Sequence, residues 1–236
     1  MNVKLIAVTS PRIEGLNNAE DIVSYCARVS NPSNQMNTET APRLLKYLIK
    51  HQHWSPFEMA SVTVEIVTSR AIAAQILRHR SFAFQEFSQR YSIAIAAQIL
   101  RHRSFAFQEF SQRYSVATKL EDIQWRMQGK TNRQVGDTEV DLSPDKLELV
   151  NNALNSSLKA YDTLIEAGVA KECARMVLPL TTQTTMYMTG TLRSWIHYIE
   201  LRAKEDTQKE HREIAIDIKN IFINEFPVIS EALSWI

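Results

Sequence analysis

Arg78, His79 and Arg80 are consecutive, and after seven intervening residues come Ser88 and Arg90, with Glu86 just ahead of them. On an extended chain, side chains two apart share a face. Glu86, Ser88 and Arg90 then aim a carboxylate, a hydroxyl and a guanidinium at one place. Guanidinium forks grip phosphate and carboxylate edges with paired hydrogen bonds. The set suits a ligand with both a phosphate and a hydrogen-bonding base, such as a nucleotide. Helix-end electrostatics, at about 0.3–1 kcal/mol per cation, explains one or two of the basic residues. A solvated strand face would explain the alternating trio alone; the two patterns together favour a shared ligand. Ser88 has no general base beside it in the sequence, so it reads as a binding hydroxyl rather than a nucleophile.

This segment occurs twice. Residues 71–92 and 94–115 are the same 22 residues, with Ile93 between them. Gln98, Arg101, His102, Arg103, Glu109, Ser111 and Arg113 are therefore second-copy counterparts of Gln75, Arg78, His79, Arg80, Glu86, Ser88 and Arg90. Solenoid repeats drift in sequence and need about three units to bury a shared face, so two perfect copies do not make one. A site that uses the segment once takes one copy and leaves the other as an insertion, at little cost in loop closure.

With 27 basic against 26 acidic residues, the chain lacks the basic excess of a nucleic-acid or anionic-membrane binder. Apolar runs stop short of the roughly 18 residues of a membrane span. The start reads as a strand rather than a leader. The expectation is a cytoplasmic protein that binds neither membrane nor nucleic acid. Cys26 and Cys173 are the two cysteines, and they fit buried small apolar residues in a reducing compartment. No Cys-x-x-Cys or His-x-x-x-His spacing announces a metal, and His51 and His53 read as solvated surface.

The elements that must position this chemistry can be read coarsely. Residues 3–8 form a strand, Asn18 caps a helix to about residue 29, and 38–50 form a second helix. Residues 61–66 alternate polar and apolar and make the clearest strand, with Val67 breaking the pattern. Ser69 then caps a helix to about residue 79. It buries Ile72, Ala73, Ile76 and Leu77 and turns Gln75 and Arg78 to another face. Residues 82–91 read as irregular, then extended. Residues 119–141 are polar and aperiodic, a mobile excursion. Pro144 opens a long helix that stops near Gly168. A short helix over 171–178, a strand over 184–189, and helices over 192–202 and 208–226 follow. No linker divides the chain. One α+β domain over 1–236 is expected, a central sheet flanked by helices with the duplicated insertion within 71–115.

The run RHRSFAFQEFSQRY closely resembles the signature of flavin-dependent thymidylate synthases. The likeness extends outward to Ala27-Arg28-Val29-Ser30, to His53-Trp54-Ser55-Pro56-Phe57-Glu58, to Ala174-Arg175-Met176-Val177-Leu178-Pro179, and to the helix 191–202 followed by Gln208. Gln85 and Ala83 stand where the family often has Asn and Ser. Thr191 and His197 stand where other members carry Asn. The doubled signature is a further departure, since the family uses one per subunit.

The resemblance implies reductive methylation of dUMP to dTMP, with methylenetetrahydrofolate as carbon donor and NADPH as reductant acting through FAD. It implies a homotetramer whose active sites are shared between subunits. It assigns dUMP to Gln75, Arg78, Glu86, Ser88, Arg90 and Arg175, and the flavin to His53, Ser55, Arg78, His79, Arg80, Glu86, Thr191, Arg193 and His197. Arg202 would face the uracil edge and favour ionised N3, activating the ring without an enzyme thiolate. In the second copy, dUMP would fall to Gln98, Arg101, Glu109, Ser111 and Arg113, and the flavin to Arg101, His102, Arg103 and Glu109. Trp195 and Tyr198 share a face with Arg202, placed either to stack on a ring or to pack in the core. The rival expectation is a single-stranded nucleic-acid-binding module whose repeated arginines join Phe82, Phe84, Phe105 and Phe107 for stacking.

Overall fold

Six strands and eight helices are recorded among the residues that the computed structural model describes, which are 1–78, 105–109, 119–130 and 135–236. The strands are β1 (Asn2–Val8), β2 (Ser61–Ser69), β3 (Phe105–Glu109), β4 (Arg126–Gln128), β5 (Gly136–Glu139) and β6 (Gln183–Thr191). The helices are α1 (Ala19–Ala27), α2 (Ala41–Lys50), α3 (Arg70–Leu77), α4 (Pro144–Glu166), α5 (Lys171–Ala174), α6 (Leu192–Arg202), α7 (Lys209–Glu225) and α8 (Pro227–Ala232). The architecture is the expected α+β.

Alternation builds the main sheet, an antiparallel set in the order β1-β2-β6-β3. β2 turns Val62, Val64 and Ile66 inward, and Thr68 takes the next inward place. A β-branched threonine keeps the strand geometry, which is why the strand runs past Val67 to Ser69. β6 answers with Thr184, Met186, Met188 and Gly190. The inner face joins Leu192, Trp195, Ile196 and Ile199 of α6 and Ile214, Ala215 and Ile218 of α7 in one apolar core.

Both central strands end in a hydroxyl cap. The Ser69 side chain accepts from the Ile72 N–H at 3.4 Å and opens α3; Thr191 accepts from the Ser194 N–H at 3.3 Å and opens α6. Such caps satisfy one of the orphan N–H donors of a helix start. Because β2 and β6 are antiparallel, with Ser61 opposite Thr191 and Ser69 opposite Gln183, the two helices start at opposite ends of the pair.

Each copy of the repeat supplies one element among the described residues. α3 comes from the first copy, fixed by Arg70 N–H to the Thr182 carbonyl at 3.0 Å and Ala71 N–H to that of Leu180 at 3.1 Å. β3 comes from the second, pairing Phe105 with Gly190 and Glu109 with Met186. The Phe105 ring lies over Gly190, where an added Cβ would sit 2.2 Å from it. Burial of Phe105 (2% exposed) against Trp195, with ring centroids 4.8 Å apart, removes it from the stacking role of the nucleic-acid rival.

Other expectations need amending. Residues 119–141 hold two paired and anchored strands among their described residues, where a loose excursion was expected. β4 pairs with β5, Leu120 bridges Thr182, and Lys209 Nζ meets Glu139 Oε1 at 2.9 Å. A short hairpin tied down by ion pairs carries no apolar period, so pattern alone misses it. Cys173 is exposed and Cys26 only half-buried, so neither is a core residue. Trp195 and Tyr198 are fully buried, which settles them as core aromatics rather than stacking surfaces. α8 was not expected; Pro227 at its first turn starts it directly after α7. No helix among the described residues is long and apolar enough to cross a membrane.

Candidate active site

Helix α6 carries expected site residues at both ends. Arg193 and Arg202 are nine residues apart, about 14 Å along the axis at 1.5 Å per residue.

At its start, Arg193 and His197 meet the turn that leads into β2. The Arg193 guanidinium ion-pairs with Glu58, and Leu192 N–H donates to the Ala60 carbonyl at 2.9 Å. His197 packs edge-on against Trp54, with centroids 5.1 Å apart. His53 is exposed beside His51, and Ser55 begins the 3-10 turn Ser55–Glu58. Burial pushes the His197 imidazole pKa down and the Arg193 charge pushes it further, so it is neutral at pH 7. The Arg193 Nε is buried with no hydrogen-bond partner among the described residues. A buried guanidinium N–H left open in this way fits an acceptor-bearing ring lying against it. The Thr191 hydroxyl is engaged in the cap and with Ser194 Oγ at 3.1 Å.

At the other end, Arg202 closes α6 with its Nε buried and likewise without a partner among the described residues. Beside it, the Tyr198 hydroxyl and His211 Nε2 lie 3.0 Å apart. Burial, then the Arg202 charge, pushes His211 down to about 4, so the imidazole is neutral. Burial raises the Tyr198 hydroxyl, against the opposing pull of Arg202. Gln75 reaches this region from α3, donating through Nε2 to Gln208 Oε1 at 2.6 Å. Arg78 is exposed at the C-terminal cap of α3.

Arg175 belongs to neither group by its recorded contact. Its Nε donates to the Glu172 carbonyl of its own turn at 3.3 Å. Glu109 ends β3, opposite Met186. His79, Arg80, Glu86, Ser88, Arg90, Gln98, Arg101, His102, Arg103, Ser111 and Arg113 lie outside the described residues, as do Phe82 and Phe84. Sequence reasoning passed over Arg126, Glu210 and His211, and gave Glu58 no role beyond its place in the His53–Glu58 motif. Glu210 and His211 follow closely on Gln208, which was noticed; Arg126 carried no signal. Among the described residues no group of His, Cys, Asp and Glu is gathered to hold a metal ion.

Comparison with known proteins adds a family. A family model described as thymidylate synthase complementing protein matches residues 12–95 and again 91–228, each match holding one whole copy of the repeat. A probable flavin-dependent thymidylate synthase of Paramecium bursaria Chlorella virus 1 is 49% identical over 241 aligned positions, covering all of both chains. A flavin-dependent thymidylate synthase of Synechocystis is 42% identical, again covering all of both. In architecture the chain is similar to a UMP/dUMP methylase, PolB, from Streptomyces cacaoi, whose crystal structure holds 5-Br dUMP. The TM-score is 0.73 at 24% identity, over 99% of this chain and 94% of that one.

Proposed function

This chain belongs to the family of flavin-dependent thymidylate synthases, and from that premise we propose that it methylates dUMP to dTMP at a flavin-bearing site, as one catalytic unit spanning 1–236. The observation that carries the reading is Arg202. Its guanidinium keeps a buried Nε without a partner among the described residues beside a neutral His211, in the first turn of the helix that Gln208, the partner of Gln75, precedes.

A fixed positive charge at the edge of a uracil ring lowers the cost of ionising N3, and exclusion of water strengthens the effect. Arg202 would supply that charge. The neutral His211 beside it competes for neither proton nor anion. Gln75, Arg78, Glu86, Ser88, Arg90 and Arg175 would hold the nucleotide, the guanidinium groups taking the phosphate. Alternatively, the second-copy counterparts Gln98, Arg101, Glu109, Ser111 and Arg113 would act, since β3 is the second copy's strand.

FAD would be held by His53, Ser55, Arg78, His79, Arg80, Glu86, Thr191, Arg193 and His197, or by Arg101, His102, Arg103 and Glu109 of the second copy. The open Nε of Arg193 and the neutral imidazole of His197 support that assignment. When bound, the flavin supplies redox chemistry that no side chain offers. NADPH would be the reductant and methylenetetrahydrofolate the carbon donor.

The distance of about 14 Å between the two ends of α6 supports sites assembled from several subunits of a homotetramer. In such an assembly one copy's Arg193 end meets another's Arg202 end. The test is direct. Purified protein should be yellow, should show dUMP-dependent NADPH oxidation, and should yield dTMP when methylenetetrahydrofolate is also supplied. Colourless protein that binds oligonucleotides in a salt-sensitive way would overturn the proposal.

A further inference from the structure

Four side chains from three stretches of the chain form one hydrogen-bonded line. Arg126 of β4 ion-pairs with Glu210 Oε1 in the first turn of α7. Gln208 Nε2 donates to Glu210 Oε2 at 3.0 Å, and Gln75 Nε2 donates to Gln208 Oε1 at 2.6 Å. Gln208 precedes α7 without using its side chain as a cap, so its carboxamide is available to the line. Burial pushes the Glu210 carboxyl up, but hydrogen bonds from Arg126, from its own backbone and from Gln208 outweigh this and hold it below the usual carboxylate range. At neutral pH it is a carboxylate.

A carboxylate has no hydrogen to give. Gln208 must therefore turn its NH2 to Glu210 and its carbonyl to Gln75, and Gln75 must answer with its own NH2. The line has one polarity, set by the acid.

We propose that Glu210, held by Arg126, and Gln208 are positioning residues for Gln75, locking its carboxamide so that Oε1 faces the nucleotide as an acceptor for a hydroxyl or N–H donor. This rests on the uridylate reading of the site. The hairpin that supplies Arg126 thereby becomes part of substrate recognition.

Glu210→Gln reverses the line. Arg126 would hold the carbonyl of the new amide, whose NH2 would face Gln208; Gln208 and Gln75 must both flip, and Gln75 would offer NH2 where the nucleotide needs an acceptor. The KM for dUMP should rise about tenfold, the equivalent of one lost hydrogen bond. Flavin absorbance and Tm should be kept, and kcat should stay within about twofold. The exchange Gln208→Glu with Glu210→Gln again puts an acceptor-only group opposite Gln75, and should return KM to near the wild-type value. If Glu210→Gln does not fold, Gln208→Met cuts the line and should also raise KM. An unchanged KM in the folded variant, or a loss that the exchange does not repair, overturns the positioning role alone. A wild-type chain that neither turns over nor binds dUMP by calorimetry overturns it together with the uridylate reading.

Discussion

Glu20 and His211 are both buried, at 4% and 1% exposure, and burial displaces their titration in opposite senses. Desolvation raises the Glu20 carboxyl to about 7, against hydrogen bonds from the Ile229 and Val228 N–H groups. Desolvation and then the Arg202 charge lower His211 to about 4. Each displacement corresponds to about 3 kcal/mol between protonation states. Glu20 must stay protonated when folded, so its part of the stability is full below about pH 4.5 and is lost as pH rises through about 7. His211 must stay neutral, so its part is full above about pH 6.5 and is lost as pH falls through about 4. Between pH 4.5 and 6.5 the two slopes oppose. Thermal melts should separate them: relative to wild type, Glu20→Gln makes Tm rise more steeply with pH in this window, and His211→Gln less steeply. Matching slopes for both variants would refute the assignment. Neither role was legible in the sequence, because burial of a lone Glu or His on an amphipathic helix leaves no pattern.

Strands and capped helices were the legible elements, since alternation and a hydroxyl or amide before an apolar stripe are local signals. Asn18 accepts from the Asp21 N–H at 2.9 Å as its sequence position predicted, and Asn18→Ala should cost about 1 kcal/mol in urea unfolding. What could not be read was contact between elements. The β4–β5 pair looks polar and aperiodic, and its ion pairs to α7 help to give it a place. Likewise, nothing local said that Gly190 lies under Phe105. Gly190→Ala sets a methyl group into that ring and should cost about 1–3 kcal/mol. Hydrogen exchange should show β3 loosening from β6 first. Uniform destabilisation with β3 protected as before would contradict the register.

Over the whole molecule, the described part of the first copy supplies α3 and that of the second supplies β3. Deleting residues 93–115 leaves one copy able to supply both, with Phe82 following four residues after Arg78. The deletion variant should therefore fold and bind flavin with a Tm equal to or above that of the full chain, because it closes a shorter loop. Melting and absorbance measurements check this; a variant that fails to fold would mean that both copies are structurally required. The fold class was visible beforehand through the signature's resemblance. Which copy supplies α3 and which supplies β3 was not, since identical segments give the sequence no means of ranking them.

Methylation at C5 of uracil replaces the hydrogen there, so release of tritium from [5-³H]dUMP reports the chemistry itself. The decisive comparison is wild type against Arg202→Ala at equal flavin content. The expected result is dUMP- and NADPH-dependent release by wild type that falls by about a hundredfold or more in the variant, the scale of losing one preorganised charge at a reacting centre. Equal release by the two proteins would contradict the claim that Arg202 activates the uridylate.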